Sequence, residues 1–281
     1  MSASTYTFDS PDADVILRAP LQPGSDEFED FYVHKIILSI ASSVFRDILS
    51  IPQPPRHSSE DATLDVIGVT EPAKVLETFL QLIYPVDPPI IEHLRLMDDL
   101  FRLADKYAAK GVNEKLKKRL ISPSFLKDDP IGVFAIACRS NLDEEERLAV
   151  SYTFSIDIIN EISEEHIQTM TAGIYHRLLV KHAFRREQLL SAVDQAVLQL
   201  RPAASWISRC ACIEKVKKEI RLKISGRPFL NSEILEMCFS SMRALGLKCG
   251  ASGTGSCIYA PGPGARFLSE IVVILQAMPC S

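Results

Sequence analysis

Between Phe31 and Asp47 the chain reads Phe-Tyr-Val-His-Lys-Ile-Ile-Leu-Ser-Ile-Ala-Ser-Ser-Val-Phe-Arg-Asp, and its apolar period changes midway. Phe31-Tyr-Val33 has the aromatic and β-branched make-up of a strand. From Lys35 onward Ile36, Ile37, Ile40, Val44 and Ile48 recur at helical spacing and are expected to line one buried face. A strand that runs straight into a buried helix limits the chain to folds in which sheet and helix pack against each other.

The neighbouring segments extend this pattern. Asp14-Val-Ile-Leu-Arg18 suits a strand, Pro20–Asp30 is a turn-rich acidic connection, and Leu64-Asp-Val-Ile-Gly-Val69 suits a third strand. The three prolines and two serines of 52–60 cannot continue a helix and read as an exposed loop. Thr70-Glu-Pro72 has the make-up of a helix start, with threonine as N-cap and proline in the first turn. Val75, Leu76, Phe79, Leu82 and Ile83 then form an apolar stripe. Leu94–Tyr107 and Val112–Leu120 read as two further helices broken by Gly111. Beyond Ser122-Pro123 the strand signals fade, and 124–224 reads as successive helices. Among these, Asp143 and Glu146 stand at capping-box spacing, Ser163 opens a short helix, and Ala172–Leu200 is long and amphipathic. Further on, Asn231–Leu245 and Ala265–Ala277 read as helices on either side of a Gly/Pro-rich loop.

Length and composition narrow the class. A chain of 281 residues with 47% hydrophobic and 24% charged residues is ordinary for a globular protein and is better divided into two cores than held in one. A formal net charge of −5 and a pI near 5.7 argue against nucleic acid as a partner. The basic clusters Lys115–Arg119 and Lys215–Lys218 are interleaved with apolar residues and read as solvated helix faces. Met1–Ser10 has neither the basic nor the apolar region of a secretory leader, and Ile271–Leu275 is too short to cross a bilayer, so no membrane association is expected. The seven cysteines are odd in number, scattered and absent before Cys138, which fits an intracellular protein of cytoplasm or nucleus with free thiols.

Three segments, in order, resemble the BTB/POZ family. Asp12-Ala-Asp14-Val-Ile-Leu resembles its opening strand, and Val33-His34-Lys35-Ile-Ile-Leu-Ser-Ile-Ala-Ser42-Ser43-Val-Phe45 resembles its central signature. Val75–Tyr84, followed by Leu100–Tyr107, resembles its third and fourth helices. The whole chain resembles fungal proteins that carry such a domain ahead of a helical region. The resemblance implies an α+β fold, a small sheet with clustered helices, followed by an all-helical region. The expected organisation is a loose tail over 1–11, a BTB/POZ domain over 12–121, a helical domain over 122–224 and a C-terminal helical segment over 225–281.

The implied function is protein–protein interaction, as a scaffold or oligomerising module without catalysis or cofactor of its own. In dimerising members of the family the strand aspartate and the basic residue after the histidine form part of a charged groove. Asp14 and Lys35 match those positions, so a homodimer groove is expected there. A second family role is to recruit substrates to a cullin-type ubiquitin ligase. That surface would lie around Ile48, Leu49, the 50–60 loop and Leu96–Tyr107. The short apolar-x-Glu element that commonly follows the domain in such adaptors is not found. The expected partner-binding residues are therefore Asp14, His34, Lys35, Ile48 and Leu49, with His34 also read as a fold-stabilising histidine.

Catalytic motifs do not assemble. Gly250-Ala-Ser-Gly253-Thr-Gly255 lacks the following lysine and the leading strand of a phosphate cradle, and Ser124-Phe-Leu-Lys127 stands without companion motifs. His176 and His182 are six apart on an expected helix and point in different directions. Cys210, Cys212, Cys238, Cys249 and Cys257 leave two readings open: small buried hydrophobes, or four thiolates closing a structural zinc site. Spacing two apart inside a helix favours the first.

Overall fold

A computed structural model describes residues 6–51, 64–200 and 211–229, together with residues 234, 237 and 273. Its contacts divide into two units, Met1–Asp128 and Asp129–Ser281.

The first unit is built on a three-stranded sheet of order β2-β1-β3. Strand β1 (Val15–Pro20) runs antiparallel to β2 (Phe28–Val33) and parallel to β3 (Asp65–Gly68). As the central strand β1 is buried at every position except Arg18, hence its aliphatic run Val15-Ile16-Leu17 in place of an alternating pattern. Arg18 faces Asp30 across the ladder, and the two form a bidentate ion pair with both N···O distances at 2.7 Å. The β1–β2 connection turns at Gly24, whose φ of 79° is open only to glycine at low cost.

The expected loose tail is corrected for its described part. Phe8 is buried, its carbonyl accepts from the Tyr32 amide at 2.9 Å, and Asp9 bridges to Tyr32 along the outer edge of β2. Phe8 also packs edge-on against Tyr84 and Phe31, so three aromatic rings fasten this segment.

The helix expected from Lys35 is two helices, α1 (Lys35–Ala41) and α2 (Ser43–Ser50). Ser42 adopts an extended conformation between them, ends α1 by donating its main-chain N–H to the Leu38 carbonyl, and caps α2 with its hydroxyl oxygen, which accepts from the Phe45 amide. The break rotates the apolar stripe. Leu38 and Phe45 are fully buried, while Ile36 and Ile40, expected in the core, stand 65% and 76% exposed.

Helix α3 (Ala73–Ile83) starts from Pro72 rather than from a Thr70 cap, and buries Leu76, Phe79 and Leu80. Thr70 bonds the Glu71 carboxylate instead. Helices α4 (Leu94–Lys106) and α5 (Lys110–Leu120) are separated at Ala108, which takes a positive φ of 50°, and Gly111 lies within the first turn of α5. The short α6 (Pro123–Asp128) closes the unit. Its centre is made of Leu17, Leu38, Phe45, Phe79, Met97 and Leu100.

The described part of the second unit is helical. Helix α7 (Pro130–Arg139) is buried from Pro130 to Cys138 on all sides except Gly132, the mark of a central helix. Against it pack α8 (Asp143–Thr153), α9 (Glu164–Thr169) and α10 (Ala172–Leu200), and α11 (Ala211–Lys223) packs on α10. Ser163 does cap α9, in a capping box with His166. The capping box expected at Asp143 and Glu146 does not form: Leu142 holds the N-cap position, and Glu146 is buried in an ion pair with Arg177 at 3.0 Å. Cys210, Trp206 and the two helices expected beyond residue 230 lie outside the described residues, apart from the helical positions 234, 237 and 273.

Candidate functional site

The corner where β1, β2 and α1 meet gathers Asp14, His34 and Lys35. The Asp14 carboxylate accepts the main-chain amide of Lys35 at 2.6 Å, which satisfies a donor that the start of α1 leaves without a helical partner. The Asp14 amide in turn donates to the Val33 carbonyl at 3.1 Å. The Lys35 ammonium turns away to β3 and meets Asp65 at 3.0 Å, both side chains being partly exposed. Asp14 and Lys35 are thus joined through the backbone and not as a side-chain ion pair. Their juxtaposition holds the first turn of α1 against the sheet.

His34 is bonded through its backbone and its ring to one partner. Its amide donates to the Tyr84 hydroxyl at 2.8 Å, and its Nδ1 lies 3.1 Å from the same oxygen. A hydroxyl has one proton and two lone pairs, so it accepts from the amide and, in the tautomer that carries the ring proton on Nε2, donates to Nδ1. This leaves Nε2 to face Asp12 at 3.4 Å. Burial pushes the Tyr84 hydroxyl up to about 12, so it keeps the proton that this arrangement uses. His34 is thereby a fixed junction between α1 and the end of α3.

The solvent face of α1 was missed by pattern reading. Ile36 and Ile40 are one helical turn apart and both point outward. The signal was present in the sequence: Ile36, Ile37, Leu38 and Ile40 give α1 apolar residues around most of its circumference, more than one buried face absorbs.

Ile48 and Leu49 are half-buried near the end of α2, and Ile51 beside them is 61% exposed. Of the 50–60 loop expected to complete this surface, residues 52–60 lie outside the described residues. Beneath α2, Phe45 stacks face to face on Tyr107 with centroids 4.2 Å apart, and the Tyr107 hydroxyl donates to Glu71 at 3.0 Å. Lys106 pairs with the same carboxylate. Burial raises the Glu71 carboxyl, but the bonds from Lys106, the local backbone and Tyr107 together outweigh it and hold it below the usual range. This network joins α2, α4 and the entry to α3, and so fixes the height of the α2 surface above the core.

Among the described residues no group of three or more His, Cys, Asp or Glu side chains is placed to hold a metal ion. Cys210, Cys238, Cys249 and Cys257 lie outside the described residues, and Cys212 is described only in its backbone. Cys138 is a buried free thiol, pushed up to about 12 by burial and the nearby Glu146 carboxylate. No described helix is long and apolar enough to cross a membrane.

Residues 23–124 match the family model of the BTB/POZ domain. The small sheet with its attendant helices is therefore a BTB/POZ domain, a module for protein–protein interaction. A BTB/POZ domain-containing protein of Arabidopsis thaliana is 32% identical over 115 residues, covering 39% of this chain and 51% of that relative. The chain spans about half the length of the curated relative it matches.

Proposed function

We propose that this chain is a scaffold that binds protein partners, including a second copy of itself, through the α1 face and the Asp14–Lys35 corner of its BTB/POZ domain, without catalysis of its own. The observation that carries this is the exposure of Ile36 and Ile40 side by side on a helix whose ends are rigidly held. Two neighbouring aliphatic side chains turned to solvent on a fixed element form the apolar centre of an interface, and His34 and Lys35 lie at its polar edge. The free thiol of Cys138 is in keeping with a reducing, intracellular setting in cytoplasm or nucleus. Light scattering across a concentration series tests the reading. A dimer that dissociates in the Ile36→Asp/Ile40→Asp double variant supports it, and a wild-type chain that is monomeric throughout removes the self-association.

A second reading is a substrate-recruiting adaptor of a cullin-type ubiquitin ligase. It is favoured by the apolar end of α2, where Ile48, Leu49 and Ile51 adjoin one another. Capture of a purified cullin by the wild-type chain, lost in Ile51→Asp, supports this reading, and no capture rejects it.

A further inference from the structure

Helix α9 is unusual in how it is held. None of its own residues is buried, and Ile167 is 55% exposed. Hydrophobic burial therefore does little to dock it, and its attachment to α7 falls to polar contacts and to Met170 just beyond its end. At the C-terminal end Arg139, the last residue of α7, donates to the Thr169 carbonyl at 2.9 Å. At the N-terminal end the fastening is His166. Its Nε2 lies 2.8 Å from the Asp129 carboxylate, and its Nδ1 lies 2.7 Å from the Ser163 hydroxyl. Asp129 is itself the N-cap of α7, accepting the Gly132 amide at 2.8 Å, and Ser163 is the N-cap of α9. One imidazole thus bridges the caps of two helices.

We propose that α9 is a pH-dependent strap on the helical unit, fastened to α7 while His166 carries its second proton and loosened as that proton leaves. In the charged state both ring nitrogens donate, Nε2 to Asp129 as an ion pair and Nδ1 to the Ser163 hydroxyl, in place of the long 3.4 Å bond that an unprotonated Nδ1 accepts from the Ser163 amide. In the neutral state the remaining proton sits on Nε2, so a hydrogen bond to the Asp129 carboxylate persists and Nδ1 accepts from the Ser163 amide, but the attraction between two opposite charges is gone. Asp129 goes on capping α7 in either state, so the response is confined to α9.

The charges around the imidazole set the direction. Asp129 faces it from α7, Glu164 and Glu165 lie beside it in the first turn of α9, and the Arg139 cation sits at the far end of the contact. The Asp129 hydrogen bond raises His166 above the ordinary histidine value, burial opposing and the Asp129 and Glu165 charges assisting. Asp129 is raised by burial but held low overall by His166 and the Gly132 amide, so it stays ionised while His166 titrates. A folded-state value above the unfolded one means the fastening is complete below the ordinary histidine value and is lost as pH rises through the raised one.

Hydrogen exchange of the full chain, read by mass spectrometry over 163–170 between about pH 6 and pH 8.5 and normalised to intrinsic exchange rates, tests this. Protection of the wild-type segment is expected to fall about two- to fivefold with rising pH, the range of a part-exposed ion pair. Asp129→Asn keeps a good N-cap for α7 but removes the charge, so its profile should be flat, as should that of His166→Gln. Peptides from α7 serve as the internal control. Wild-type protection that does not change with pH, or an Asp129→Asn profile that keeps the wild-type slope, overturns the proposal. Asp129→Asn decides the matter if His166→Gln does not fold.

Discussion

The Ser42 hydroxyl donates to the main-chain carbonyl of Tyr107, 65 residues further on, while its oxygen accepts the amide of Phe45. One small side chain thus separates α1 from α2, starts α2 and ties it to the end of α4. Ser42→Ala removes the cap and strips a buried carbonyl of its donor. We expect a loss of about 1–3 kcal/mol in chemical denaturation. A loss below about 0.5 kcal/mol would show that water replaces the hydroxyl at both partners.

Tyr84→Phe tests the His34 junction. The ring remains to fill the core, but the His34 amide and Nδ1 lose their common partner. A drop of about 1–2 kcal/mol is expected, together with faster amide exchange at His34. Unchanged exchange would mean that the backbone at this corner is held by the ladder alone.

Leu38 and Ile40 are two residues apart on α1 and should respond in opposite ways. Leu38 is fully buried, so Leu38→Ala should cost about 2–5 kcal/mol. Ile40 stands in solvent, so Ile40→Ser should change stability by no more than about 0.5 kcal/mol. Thermal melts of the two variants check the outward face of α1. Equal losses would contradict the orientation described here.

His182 gives the helical unit an acid-side weakness. Its Nε2 lies 2.9 Å from the Thr153 hydroxyl, which itself donates to the Val150 carbonyl at 2.7 Å, so Nε2 carries the proton and Nδ1 is left bare. Nδ1 is buried without a hydrogen-bond partner. Burial therefore pushes His182 down to about 4, the Arg186 charge assisting. A depressed histidine is neutral in the fold and charged in the unfolded chain below the ordinary value. Stability from this group is whole above about pH 6.5 and falls toward pH 4, by roughly 3 kcal/mol in total. The denaturation midpoint of the wild type should fall more steeply than that of His182→Leu as pH falls over that range. Parallel curves would remove His182 as the cause.

Much of the first unit was legible from local pattern. The strand at Asp14–Arg18 is found as β1, and the helix at Leu94–Tyr107 is found as α4 with a one-residue difference. In the helical region the ends of Ala172–Leu200 were readable because a long amphipathic run stops before proline. What escaped was set by distant contacts. Nothing near Ser42 announces that its hydroxyl meets Tyr107, so the pattern could show more apolar residues on α1 than one buried face absorbs, but not that Ile36 and Ile40 were the ones turned outward. The Gly111 break failed because glycine is tolerated in a first helical turn, and the chain reversed at Ala108, whose residue type gives no warning. Asp14 and Lys35 were paired because they match groove positions of the family, but the structure joins them through a main-chain amide, which side-chain type does not encode.

The parallel partner of β1 begins at Asp65, paired with Val15, and the hydrogen bonds that lock α1 and α2 come from Tyr84 and Tyr107. On the ribosome the amino-terminal β-hairpin and the two short helices emerge well before any of these groups exist. Until they arrive, Leu17, Leu38 and Phe45 lack the Phe79, Met97 and Leu100 side of their core, and the third strand's place beside β1 stands open. Synthesis is vectorial, but this closure is not local, so the domain should fold in one late step after α4 has left the exit tunnel. That interval, rather than the finished domain, is when the chain is most in need of a chaperone.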